Sequence, residues 1–469
     1  VGNYLHIGCL LRYSVPYSRK EECSPGTRTI LIMRLYCASP KGICSVGSLL
    51  CVEGEVRFMK NTLIVGIDIS KRSNVATFMN CEGKVVGRLT FSNNGSGADR
   101  LVAKILSYYE KEDFEAIRIG MENTSVYSKN LVWFLYEHEA LNEHKLSIIP
   151  LNAIMVANYK KSFLDMDKDD ITDSFAIADF IRIRPGLLPF KLDDRQEALK
   201  IMTRSRYNYV QALSRMKSQF LTRLFLSFSE MEAGKPFYSI FSKTSLSLLE
   251  EEFTLDELAE KPIPELVEFL QEKGGGKFQN PEEIAKVLKK AASSSYRVPA
   301  MVRESLNRTM ASDMEIMRIL ENEIHNCDKN IEKLMKSVLA ILVSIPGIGP
   351  VLAAGIMSEI GDISRFQKQE SLGKMAGFKW KRNQSGKKES EDKAAVLSGN
   401  KKLRYYLVEA ANWVRIHDPV FEAYYRKKYA ESKTHAHKRA LILTARKLVR
   451  VIFYLLKENK LYKPDVGIS

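Results

Sequence analysis

The chain is poor in the residues that would signal zinc, disulfide or membrane chemistry. Five of its 7 cysteines, Cys9, Cys23, Cys37, Cys44 and Cys51, lie near the start, and only Cys81 and Cys327 follow. Their spacings match no zinc-ligand pattern, and His6 is the one histidine beside the early group. No run of about 18 uninterrupted apolar residues occurs, so no transmembrane helix is expected. Acid is in deficit as well: 56 Asp and Glu against 71 Lys and Arg leave a net charge of +15 and a pI near 9.2. That excess suits a polyanionic partner, of which nucleic acid is the common one; a basic enzyme with other substrates shares it. With 469 residues, 45% hydrophobic and 27% charged, the chain has an ordinary globular balance and room for two to three domains.

Residues 1–58 lack periodicity and lack the order of charge, apolar core and cleavage site that marks a signal peptide. Met59 immediately precedes the first convincing strand, and residues 53–57 (EGEVR) are encodable by a purine-rich stretch resembling a ribosome-binding site. The expectation is that translation begins at Met59. Residues 1–58 would then be upstream sequence read in frame and poorly ordered.

The run 63–70 (LIVGIDIS) reads as the buried centre of a sheet, with Asp68 near its end. An isolated acid there also suits a simple turn, but a buried one needs a cation to offset it. Further strands are expected at 74–80 and 84–91, joined by a turn at 81–83, then a helix over 98–111. A fourth strand at 116–121 ends in Glu122, a helix covers 127–138, and a fifth strand at 146–149 precedes Pro150. Hairpin-connected strands followed by β–α alternation resemble the ribonuclease-H-like fold, a mixed sheet flanked by helices. The acidic stretch 165–174 opens the next helix, where Asp170 and Asp173 share a face. Acids in a first helical turn are also favoured by the macrodipole alone.

Residues 195–337 read as mainly helical, interrupted at 274–276 (GGG). Met317, Leu320, Ile324, Cys327, Ile331, Leu334 and Val338 form a heptad seam, which fits a coiled coil or an amphipathic helix packed on the body. The stretch 344–350 (SIPGIGP) precedes a helix over 351–360 and resembles a helix-hairpin-helix turn, whose exposed N–H groups suit phosphate. Between 374 and 400 Lys379, Lys381, Arg382, Lys387 and Lys388 alternate with Phe378 and Trp380, a mixture suited to nucleic acid. Helix continues over 401–456 with Arg404 in its first turn; His435 and His437, two apart, do not share a helix face. The domains expected are therefore 59–194, 195–340 and 341–469.

Asp68, Glu122, Asp170 and Asp173 make a four-carboxylate set. Such acids clamp two divalent ions about 4 Å apart for phosphodiester exchange. Hard oxygen ligands argue for Mg²⁺ over zinc. From residue types alone, a recombinase and a hydrolytic RuvC-like nuclease or junction resolvase remain open, and a nonenzymatic nucleic-acid binder is disfavoured by the four acids in order.

These residues resemble the insertion-sequence-110 family of DEDD-type transposases from Met59 onward. The resemblance rests on GIDISK (66–71), GMENTS (120–125), KDDITDSFAIA (168–178), IPGIGPVLAAGIMSEIGDISRF (345–366), AGFKWKRNQSG (376–386) and SGNKKLRYYLVEAA (398–411). Asp169 and Ser174 depart from the usual Lys-Thr-Asp-x-x-Asp-Ala, and Phe378-Lys379-Trp380 stands where a proline often follows Ala-Gly. The resemblance implies a RuvC-like, α/β domain binding Mg²⁺ through the four acids, a helical coiled-coil middle and a helical C-terminal transposase domain. In that C-terminal domain a serine attacks DNA and forms a covalent phosphoserine link. Ser385 in Gln-Ser-Gly matches that serine, with Ser390 and Ser398 as weaker matches. It further implies a noncoding bridge RNA that guides choice of donor and target DNA, a dimer or tetramer whose subunits share sites, no membrane, and action at the bacterial nucleoid in the cytoplasm. Lys381, Arg382, Lys387, Lys388 and Arg404 are the residues expected to contact nucleic acid.

Overall fold

The computed structural model describes residues 30–39, 42–52, 61–122, 126–163, 169–251, 253–335, 341–378, 384–385, 388–389, 399–432 and 434–464. The chain divides into two compact units, Val1–Leu192 and Asp193–Ser469. Among the described residues no helix is long and apolar enough to cross a membrane.

In the first unit, β1 (Ile30–Ser39) and β2 (Gly42–Val52) form an antiparallel hairpin. The main sheet contains β3 (Thr62–Ile69), β4 (Ser73–Met79), β5 (Val85–Ser92), β6 (Ala116–Glu122) and β7 (Leu146–Leu151) in the order β5-β4-β3-β6-β7. The β3–β4 and β4–β5 pairs are antiparallel, whereas β6 and β7 run parallel to β3 and β6. This is the mixed sheet expected of a RuvC-like domain. The parallel crossovers are α1 (Gly95–Lys111) between β5 and β6, and α2 (Tyr127–Glu137) with α3 (Glu139–Asn142) between β6 and β7. Then come α4 (Ala153–Lys160) and α5 (Asp170–Arg182). The last strand runs through Pro150, beyond the expected stop at 149. Proline is tolerated there because β7 is an edge strand with one side free of a ladder partner.

Alternation along β3 sorts its residues between the two faces. Leu63, Val65 and Ile67 enter one apolar core with Leu101, Ile105 and Leu135 from the crossover helices. Ile64 turns to the other face, where Ile177, Phe180 and Ile181 of α5 cover the sheet.

The second unit is helical and is built on α6 (Asp194–Ser227). Short helices follow: α7 (Glu230–Gly234), α8 (Lys243–Glu250), α9 (Leu255–Glu260), α10 (Ile263–Gly274) and α11 (Pro281–Ser294). Gly275, in the left-handed region, closes α10. The long α12 (Ala300–Met335) runs antiparallel to α6, with Arg206–Asp328, Lys217–Glu321 and Arg223–Asp313 ion pairs along the pair. The heptad seam on α12 thus has a partner within the same chain: Met317, Cys327 and Ile331 are buried there, while Val338 lies outside the described residues.

A bundle of α13 (Pro350–Ile360), α14 (Gln369–Met375), α15 (Lys401–His417), α16 (Pro419–Ala430) and α17 (Ala436–Glu458) completes the unit. Two-residue strands β8 (Gln384–Ser385) and β9 (Lys388–Glu389) pair between α14 and α15. The long pair joins two cores. Phe220, Leu224, Met310 and Met314 pack with the short helices, while Leu199, Ile331 and Met335 pack with the C-terminal bundle.

Candidate active site

Glycine decides where the acids of the first unit meet. Gly66 on β3 pairs with Gly120 on β6, and both face α5. A Cβ on Gly66 would lie 2.3 Å from Ser174 O and Ala178 N, so only glycine lets the helix backbone settle on the strand. At Gly120 a Cβ would meet the Ile181 side chain at 2.9 Å. Two residues further along each strand, on the same face, come Asp68 and Glu122. They emerge at the strand ends beside the first turn of α5, which carries Asp170 and Asp173.

Helix α5 is held in place by three contacts. Asp169 is its N-cap, its carboxylate accepting the Thr172 N–H at 2.6 Å. An Asp in place of the usual Thr therefore keeps the cap. Ser174, the other departure, shares a buried 2.7 Å hydrogen bond with Thr77 Oγ1 of β4. Finally, Tyr159 of α4 donates from its hydroxyl to the Asp179 carboxylate, which also accepts from Arg182 Nε at 2.8 Å.

The electrostatics show the convergence. Burial first, then the carboxylates of Asp173, Asp170 and Glu122, push the Asp68 carboxyl up to about 6, with Lys160 opposing them. Lys160 Nζ sits 2.6 Å from Asp173 and 4.0 Å from Glu122. Among the described residues no three His, Cys, Asp or Glu side chains converge tightly enough to hold a metal ion as they stand. Four carboxylates against one ammonium still leave a net negative site of hard oxygens that already draws a cation. A divalent ion suits that donor set.

In the second unit the Ser385 segment is pinned at its base. The chain leaves after Phe378, whose N–H donates to Gly373 O at 2.8 Å, and returns at Gly399 beside Gly377. Both glycines have positive φ (+80° and +139°), and a Cβ on Gly399 would meet Gly377 N at 2.8 Å. Asn400 secures the return. Its N–H donates to Met375 O at 2.7 Å, its side-chain oxygen caps α15, and its amide donates to Glu359 at 2.6 Å. Glu359, buried in α13, also accepts Arg204 Nε and Nη2 at 2.7 and 2.9 Å.

Ser385 pairs through its backbone with Lys388. Lys381, Arg382, Lys387, Ser390 and Ser398 lie outside the described residues. Arg404 is half-buried, donating from Nε to Ala376 O at 2.9 Å, so it braces the base of the segment. Phe378, expected to face nucleic acid, is 4% exposed and belongs to the helical core. Its burial follows from the α14 turn, which folds it inward before the basic stretch begins. Gly347 of the helix-hairpin-helix-like turn packs on α15, where a Cβ would meet the Trp413 backbone at 2.8 Å, so close packing requires that glycine.

Residues 65–228 match the DEDD-type transposase family of IS110, and residues 339–426 match the transposase IS116/IS110/IS902 family. Together the two matches span more than half of the chain. The chain belongs to the IS110-type transposase family. Among relatives of this transposase, a 42 kDa protein of insertion element IS900 from Mycobacterium paratuberculosis is 26% identical over 65% of the chain and 75% of its own length. A 44.8 kDa protein of IS116 from Streptomyces clavuligerus is 22% identical over 86% and 97%. A pilin gene-inverting protein from Moraxella bovis is 30% identical over 26% of the chain and 37% of its own. The transposase is accordingly a DNA transposase and recombinase.

Several residues that shape the transposase's site escaped the sequence reading. Lys160, Tyr159 and Asp179 carry no spacing signal toward the acids, because they come together only when α4 packs on α5. Gly66 and Gly120 were legible only as parts of motifs, although a glycine two residues before an acid at two strand ends was a usable clue.

Proposed function

We propose that this transposase moves its insertion element by cutting and rejoining DNA, with Asp68, Glu122, Asp170 and Asp173 holding Mg²⁺ and Ser385 as the nucleophile. The observation that carries the reading is the convergence of Asp68 and Glu122, from two adjacent parallel strands, on the acidic first turn of α5. Mg²⁺ bound there would stabilise charge on the attacking and leaving oxygens of phosphodiester exchange.

The protein's own groups do the rest. Glycine contacts under α5 seat the helix on β3 and β6, which brings its acidic first turn beside Asp68 and Glu122. Ser385 Oγ attacks a DNA phosphorus: one phosphoserine bond forms, one DNA phosphorus–oxygen bond breaks, and the released oxygen leaves as a hydroxyl end. The number of phosphoester bonds is unchanged, so a second DNA end can reverse the step without an external energy source. The close approach of Gly377 and Gly399 sets where the chain leaves and rejoins the helical bundle on either side of Ser385.

Lys381, Arg382, Lys387, Lys388 and Arg404 serve nucleic-acid phosphates, consistent with the net charge of +15. In this reading residues 59–194 form the acid-bearing domain, 195–340 the helical region and 341–469 the serine-bearing domain. The protein acts as a homo-oligomer, dimer or tetramer, guided by a noncoding bridge RNA on donor and target DNA at the nucleoid.

The deciding experiment incubates purified protein, its element's noncoding RNA and matching DNA with Mg²⁺, followed by a denaturing gel. A protein–DNA adduct that disappears in Ser385→Ala is expected. Cleavage without any adduct would overturn the serine step and point to hydrolysis by the acids alone.

A further inference from the structure

We infer that Lys160 is a tethered counter-cation of the acid site, competing with the divalent ion for Asp173 and Glu122. The inference rests on the proposed metal-binding role of the four acids. Lys160 is the last residue of α4, and its Nζ reaches 2.6 Å from Asp173 Oδ1 and 4.0 Å from Glu122 Oε1. It therefore pairs directly with Asp173 of α5 and reaches the edge of ion-pair range from Glu122 of β6.

The post that carries this lysine is fixed. Asn152 caps α4, its side chain accepting the Ile154 N–H at 2.9 Å. Val156 is fully buried, and Tyr159 is bound to Asp179 and packs edge-on against Phe180 at 5.2 Å. Only the four-carbon stem of Lys160 is free to move. A divalent ion held by these carboxylates would lie close to that unit positive charge, and the two would repel. Lysine and ion thus exclude each other. The ammonium holds the acids together while the ion is absent, and it withdraws along its stem when the ion arrives.

The test titrates the chelator-treated full-length protein with Mn²⁺, reading free ion by electron paramagnetic resonance, and records melting temperature in chelator. Lys160→Met and Lys160→Gln should bind Mn²⁺ roughly fivefold tighter, the upper range for one partly exposed ion pair. Both should melt lower than the unsubstituted protein without metal. Lys160→Arg, which keeps the charge, should behave as the parent. Lys161→Gln, an exposed neighbour losing the same charge, should also leave affinity unchanged. Unchanged or weaker Mn²⁺ binding in both neutral Lys160 variants would overturn the inference, as would an equal gain in Lys161→Gln. Asp68→Asn separates the two levels. If it binds Mn²⁺ like the parent, the metal site itself is misassigned. If it loses binding while the Lys160 variants match the parent, the lysine inference alone fails.

Discussion

Gly66 and Gly120 stand opposite each other on the parallel strands β3 and β6, and α5 lies across both. Because strand side chains repeat every two residues, the face that admits the helix at the glycines presents Asp68 and Glu122 two residues later. The glycines and the acids are therefore one device: the former set how close α5 comes, and the latter meet its first turn.

Substituting Gly66→Ala should destabilise the protein by about 3 kcal/mol or more, since the added carbon meets backbone atoms at 2.3 Å. Gly120→Ala meets the side-chain methyls of Ile181 and Ile177, the nearest at 2.9 Å, rather than backbone, and should cost less. Urea unfolding of both variants checks the order; equal costs would show that α5 does not rest on β3 as described.

Ser174→Ala should cost about 1–2 kcal/mol, because it leaves the fully buried Thr77 hydroxyl without its 2.7 Å partner. Adding Thr77→Val removes the orphan and should recover most of the loss. A double-mutant cycle from chemical denaturation measures the coupling.

Asp68 gives the metal-free protein a pH dependence. Its carboxyl is raised from 3.8 to about 6 on folding, chiefly by burial, so the folded state favours the protonated form. The associated stability is fully present below about pH 4 and is lost as pH rises through about 6. The expected loss is on the order of 2 kcal/mol. It should be absent in Asp68→Asn, so the difference between the two unfolding profiles, measured in chelator from pH 4 to 7, isolates it.

In the helical unit, the Arg204–Glu359 pair should respond asymmetrically. The Glu359 side chain is 1% exposed and that of Arg204 40%. Arg204→Ala strands a buried carboxylate that keeps its Asn400 hydrogen bond and the more distant Lys200 charge, and should cost about 3 kcal/mol. Glu359→Gln leaves an arginine that water can reach and should cost about 1 kcal/mol. Thermal denaturation of the two variants at neutral pH tests the ranking.

Much of this architecture is legible in the sequence. Apolar runs at 63–69 and 116–121 mark buried parallel strands, and their trailing acids fall in register because both strands end at the same edge of the sheet. The heptad seam on α12 was equally plain, but a seam does not name its partner. That partner is α6 of the same chain, which the seam's spacing had no means to specify. Phe378 was misplaced for a related reason: local composition puts it in a basic, aromatic stretch, whereas the turn after α14 puts it in the core.

The sequence by itself determined the mixed sheet with its four acids in order and the long helices, because periodicity and residue type act locally along the chain. Tertiary structure alone decided that Lys160 faces Asp173 and Glu122, that Ser174 locks onto Thr77, and that Asn400 ties the serine segment's base to Glu359. Each of these contacts joins residues 13 to 97 positions apart, brought together by packing whose geometry no local pattern encodes.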